Sequence, residues 1–282
     1  MIRVLVCSLL FAMPALAEDD ALAGRIWDVE AERFISFPDL VAALANADKI
    51  VIGETHGREA HQNREAFLIG ALAEAGRHPA LVLEMLSRDQ SAIVETYRAM
   101  QPEYAMELAV VLDWANSNWP AWSFYYPVFN MGFATKAPIL GGDLPDGDPG
   151  TVTQNQEVAS LPYYRDSMIS AHCGLIDEAR ALDLARTQMA RDQSMAWVLE
   201  QAASLADGAV LIAGASHIQH STGVPSLLDG TVVTLLLQET DVSLATFEAN
   251  GDAATGLNLG EFDYVWFTPK DASDTFCDKI GK

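Results

Sequence analysis

Two histidines occupy the same place in two copies of one local pattern. Ile50-Val51-Ile52-Gly53-Glu54-Thr55-His56 is an apolar run, a glycine, two further residues and a histidine, and Leu211-Ile212-Ala213-Gly214-Ala215-Ser216-His217 repeats it. A third run, Ala80-Leu81-Val82-Leu83-Glu84-Met85, ends in a carboxylate. Imidazole and carboxylate groups held together can pass a proton or share a divalent cation. Glu54 and His56 are two residues apart, so in a near-extended turn they project to one side. The candidate catalytic set is therefore Glu54, His56, Glu84 and His217. In a metal-dependent version, His56, Glu84 and His217 ligate a divalent ion, and the spare carboxylate takes a proton from bound water. In a metal-free version, His56 is a general base oriented by Glu54 or Glu84. The non-catalytic alternative is a buried polar network tying strand ends together, with Glu54 capping the next helix.

These residues need a scaffold that brings distant segments to one edge. Residues 49–53, 80–85, 137–141, 209–214, 231–238 and 263–267 read as strands from their short apolar, β-branched runs. Helical spacing follows the first of them, with Ala60, Phe67, Leu68, Ala71, Leu72 and Ala75 on one stripe. Pro38 opens an earlier helix to Ala47, and Ser87-x-x-Gln90 opens another to about Met100. Residues 102–135 read as helical and aromatic, and 156–205 as two or three helices. Trp27 to Phe37 reads as a hairpin or an extended arm. Strands alternating with helices predict an α/β fold, a largely parallel sheet flanked by helices. Residues 18–282 form a single domain in this reading. The helices of 87–135 and 153–205 are too many for simple crossovers, so they are expected as a helical subdomain over the carboxyl edge of the strands. Ligands bind at that edge in open parallel sheets. Trp114, Trp119, Trp122 and Phe129 would suit the wall of a pocket for a flat apolar ligand, or ordinary core.

With 282 residues, half of them hydrophobic, the chain can bury a full core. Its net charge of −22 disfavours nucleic acid and anionic lipid as partners. Residues 1–17 read as a secretory signal: Arg3, the apolar Val4–Met13, then Ala15-Leu16-Ala17. The run is too short for a stable membrane anchor. The expected location is periplasmic or secreted, after cleavage near Ala17. Cys173 and Cys277 remain, and an oxidising compartment favours a disulfide between them over a soft ligand beside His172 or two free thiols.

Taken in order, Ile52-Gly53-Glu54-Thr55-His56, Leu83-Glu84-Met85, Asp143-Leu144-Pro145, Gln188-x-x-x-Asp192-x-x-Met195-Ala196 and Ala213-Gly214-Ala215-Ser216-His217 resemble the ChaN-like haem-binding proteins. That family shares a superfamily with the TIKI metalloproteases and erythromycin esterases. The resemblance departs where the family often has paired histidines, here His61-Gln62, and where asparagine is usual, here Asp143. It implies non-covalent haem binding associated with iron uptake, in a protein able to form a homodimer around its porphyrins. Its relatives imply Glu/His hydrolysis, with or without a divalent metal ion. Candidate haem contacts are Tyr163, Tyr164, His61 and His172, since Tyr and His are both known axial donors. The absence of Cys-x-x-Cys-His excludes c-type attachment.

Overall fold

The computed structural model describes residues 21–101, 103–271 and 277; the signal-like segment 1–17 lies outside them. A short hairpin leads in, β1 (Ile26–Asp28) and β2 (Arg33–Ile35), which resolves the choice left open for Trp27 to Phe37. Ser36 caps α1 (Phe37–Leu44) through a capping box with Asp39. Then come β3 (Lys49–Glu54), α2 (Glu59–Glu74), β4 (Ala80–Ser87) and α3 (Gln90–Met100). A turn-rich stretch holds the four-residue α4 (Leu108–Val111) and a 3-10 turn at Trp114–Asn116, before α5 (Trp122–Ala134) and β5 (Ile139–Asp143). Two long helices follow, α6 (Gln154–Ala171) and α7 (Glu178–Ala203), then β6 (Ala209–Gly214), β7 (Val232–Thr240) and β8 (Tyr264–Pro269).

The strands form one sheet in the order β2-β1-β8-β7-β3-β6-β4-β5. From β8 to β5 every neighbouring pair is parallel, and at one side β1 pairs antiparallel with both β8 and β2. The largely parallel α/β sheet expected from the sequence is thus present. Both faces are buried, which is why these strands read as nearly unbroken apolar runs. Ile50, Ile52, Leu81, Leu83, Val210 and Ile212 pack under α2 and α5, whereas Val51, Val82, Leu211 and Ala213 pack under the second half of α7.

The helical reading of 102–135 holds in part and is corrected for the rest. Among the described residues there, only Leu108–Val111 and Trp122–Ala134 are α-helical. Asp113 adopts a left-handed backbone (φ 53°), and the following Asn116-Ser117-Asn118 and Pro120 favour turns over helix. The aromatic wall is therefore partly loop. The helices of 153–205 pair as α6 and α7. The first half of α7 packs on α6 through Ala185, Met189 and Tyr164, and its second half covers the sheet. Cys173, just past α6, is disulfide-bonded to Cys277.

Candidate functional site

Register places the three pattern ends together. Glu54 at the end of β3 lies beside Gly214 at the end of β6, and Leu83 of β4 pairs with Ile212. After Leu83 the β4–β5 ladder shifts register, a bulge that turns Glu84 toward the same edge. Glu54, Glu84 and His217 are buried, while the side chain of His56 is 30% exposed. The four candidates thus meet.

They meet as two arms on one carboxylate. In the first arm, Tyr125 Oη donates to Glu54 Oε1 (3.0 Å), and His56 Nδ1 donates to the same oxygen (2.7 Å). His56 Nε2 then lies 3.4 Å from Glu84 Oε2. In the second arm, Tyr164 Oη donates to Asp192 Oδ2 (2.5 Å), and His217 Nδ1 donates to Asp192 Oδ1 (2.6 Å). His217 Nε2 lies 3.5 Å from Glu84 Oε1. Each arm runs tyrosine, carboxylate, imidazole, and both imidazoles face Glu84. That carboxylate is also held by Arg191 Nη2 at 2.7 Å and by the Gly214 N–H at 2.6 Å. A Cβ on Gly214 would stand 3.0 Å from His56 Nε2, so the imidazole rests directly on this glycine.

The electrostatics follow from burial and neighbours. Burial opposes a charge on His56, but Glu84 and Glu54 on either side outweigh it and hold its pKa at about 10. Burial likewise opposes charge on Glu84, and there His217, His56 and Arg191 outweigh it, keeping the carboxyl well below its ordinary range. Asp192 goes the other way: full burial raises it despite His217 and Tyr164. His56 therefore carries its proton at neutral pH and serves as an acid or a fixed cation. The general-base role expected for it does not suit this environment. Both Glu84 oxygens are already engaged, one by Arg191 and one by the Gly214 N–H. The divalent-ion reading of His56, Glu84 and His217 has no support in this geometry. Among the described residues, no group of three or more His, Cys, Asp or Glu side chains is disposed to hold a metal ion.

Of the four residues proposed to contact haem, Tyr164 belongs to the second arm and the other three lie outside the array. His61 is fully buried, its Nδ1 accepting from the Thr55 N–H (2.9 Å) and its Nε2 donating to Thr268 Oγ1 (3.0 Å). Burial lowers its pKa to about 4, so it is a neutral spacer between β3 and β8. Tyr164 is spent on Asp192. Tyr163 packs edge-on against Tyr164 and is half-buried. His172 ends α6, exposed, with Nδ1 donating to the Met168 carbonyl. Sequence reasoning missed the site roles of Tyr125, Arg191 and Asp192. For Asp192 a signal existed: it shares the helical stripe of Ala185, Met189, Ala196 and Leu199, and an acid on such a stripe needs a partner.

Two hollows adjoin the array. A cleft of about 700 Å³ has Arg191 and Trp119 on its wall, with Trp114, Met85, Ile93 and Asp143. The Trp119 ring meets His56 edge-on at 5.0 Å, and its centroid lies 5.7 Å from the Arg191 guanidinium. A smaller hollow of about 490 Å³ is walled by Trp114, Trp119 and Trp122 with Ala109 and Val110.

A family model described as "Haem-binding uptake, Tiki superfamily, ChaN" matches residues 40–228. Among solved structures, cofacial haem-bound ChaN of Campylobacter jejuni superposes with a TM-score of 0.68 at 23% identity, over 88% of this chain and 96% of that one. Weaker similarity extends to the type III effector HopBA1 (TM-score 0.44, 16% identity, 82% of this chain and 92% of that one). The MARTX toxin effector domain RRSP from Vibrio vulnificus CMCP6 gives a TM-score of 0.44 at 17% identity, over 74% of this chain and 37% of that one. Those last two bear only on remote shape. No curated relative matches.

Proposed function

The chain belongs to the haem-binding uptake family of the Tiki superfamily that includes ChaN, and on that premise we propose that it binds haem non-covalently as an exported protein of iron uptake. The observation that carries this reading is the family match over residues 40–228. A porphyrin needs a flat apolar surface and a donor for the iron. The tryptophan-walled hollow supplies the first. Val110 lines it, and Val110 and, earlier in the chain, Met100, Tyr104 and Met106 are each more than 60% exposed. Tyr104 brings an exposed phenol, and Met100 and Met106 bring thioethers, so the donor types fit. The larger cleft suits the ring less well. Asp89, Asp113, Asp143 and Asp146 line it, and Arg191, the cation among its described lining residues, is paired with Glu84 and Asp143. Propionates would be repelled there. Bound haem would supply the iron centre; the chain's own residues supply the stacking surface, the donor and the exclusion of water.

Titration of the full chain with hemin tests this. A saturable Soret shift is expected, weakened at least tenfold by Trp119→Ala and altered in band position by Tyr104→Phe. No saturable shift in the parent protein would end the haem reading. Full binding with an unchanged spectrum in both variants would end the placement. An oxidising location after export would keep the Cys173–Cys277 bond intact, consistent with the signal-like segment.

A hydrolytic reading has one observation in its favour, the acid–imidazole array beside an open cleft. With His56 protonated, its contribution would be to donate a proton to a leaving group.

A further inference from the structure

One buried acid lies behind the array and takes no part in either reading. Glu65, on α2, is 1% exposed, and among the described residues no N–H or O–H group donates to either of its carboxyl oxygens. An isolated buried carboxylate is among the most costly groups a protein can hold. The charged group that acts on it is Glu54, which accepts from Gln62 of the same helix. The ionisable groups facing it are Glu54 from β3 and Tyr125 from α5, one acidic and one a weak acid. The amide oxygen of Gln62, one turn earlier on the same helix, is also without a donor.

Glu54 supplies the other half of the argument. A carboxylate offers about four lone-pair sites. Three donors reach those of Glu54: His56 Nδ1, Tyr125 Oη and Gln62 Nε2. A carboxyl group adjoining it, with no donor of its own among the described residues, satisfies both groups only by donating.

We propose that Glu65 is held as a neutral carboxylic acid whose O–H donates to Glu54, which makes it a positioning residue for His56. Burial and the neighbouring Glu54 push its pKa well up, in agreement with that state. The pair then carries one negative charge, shared and directed at His56. The inference is independent of haem, because it concerns the protein alone.

Glu65→Gln separates the possibilities, since an amide still donates to Glu54 but cannot ionise. Three results are expected. The infrared difference between parent and variant at neutral pH shows the C=O stretch of one protonated carboxyl, lost in the variant. Above about pH 4.5, the folding equilibrium constant of the parent falls relative to the variant by about tenfold per pH unit. The sign follows because an acid with a raised folded-state pKa binds one more proton when folded, so stability drops as pH rises between the two pKa values. The titration midpoint of His56, followed by NMR, is unchanged in Glu65→Gln and raised in Glu65→Leu, where Glu54 loses a donor and its charge concentrates on the imidazole. If Glu65→Leu does not fold, the Glu65→Gln measurements decide alone. Absence of the carboxyl band, a flat pH dependence, or a lowered His56 midpoint in Glu65→Gln would overturn the proposal. So would a bound metal ion that Glu65→Gln releases, which would make the pair a cation site.

Discussion

The two arms that converge on Glu84 share one plan and differ in surroundings. The Tyr125–Glu54–His56 arm ends in an imidazole that is 30% exposed behind Trp119, and its carboxylate is backed by Gln62. The Tyr164–Asp192–His217 arm is closed: the His217 side chain is 3% exposed, and among the described residues Asp192 has Tyr164 and His217 as its side-chain donors. The same glycine-to-histidine spacing at two strand ends thus yields one group that can meet a ligand and one that holds its partner still. Spacing sets where an imidazole arises; the helix that covers it sets what the imidazole can do.

The largest expected effect comes from removing the shared carboxylate. Glu84→Ala leaves Arg191 and both imidazoles without their common acceptor and should cost about 3–5 kcal/mol in urea unfolding. A cost below about 1 kcal/mol would mean that the arms do not depend on Glu84. Next, the arms can be opposed by isosteric neutralisation. Asp192→Asn should cost about 2–3 kcal/mol, as expected for losing a charged acceptor in a closed setting, and Glu54→Gln about half as much because His56 can rehydrate. Equal costs would erase the distinction between open and closed arms. Gly214→Ala sharpens it further. The added methyl would sit 3.0 Å from His56 Nε2 and 3.5 Å from Glu84 Oε2, so a loss of about 1 kcal/mol and a displaced His56 resonance are expected. The pH response of the open arm tests the same contrast without a substitution. With His56 raised to about 10, its contribution is complete below pH 6.5 and disappears as pH rises through 10. An NMR midpoint near 6.5 would show that Glu54 and Glu84 do not hold the proton.

Much of this was legible beforehand because it depends on local pattern. The apolar runs at 49–53, 80–85 and 209–214 became central parallel strands, and the residues at their ends met as expected. Tyr125, Arg191 and Asp192 were not read as site residues because their position depends on how α5 and α7 cross the sheet, a fact of packing between segments 70 or more residues from Glu54. The helical forecast for 102–135 held at Leu108–Val111 and Trp122–Ala134 and failed between them for a local reason. Its aromatic residues suggested a buried helix, while Asp113, Asn116 and Pro120 favoured turns that open the two hollows.

The Cys173–Cys277 bond closes a covalent ring spanning 104 positions of sequence, which contains α7, β6, β7 and β8. Chain-entropy reasoning attributes about 4–5 kcal/mol to closing a ring of that size. It also gives tolerance to nicking: a protease that cuts one exposed peptide between Gly174 and Phe276 leaves both fragments joined. Such a clipped molecule would migrate as one species on a denaturing gel without thiol and as two once reduced.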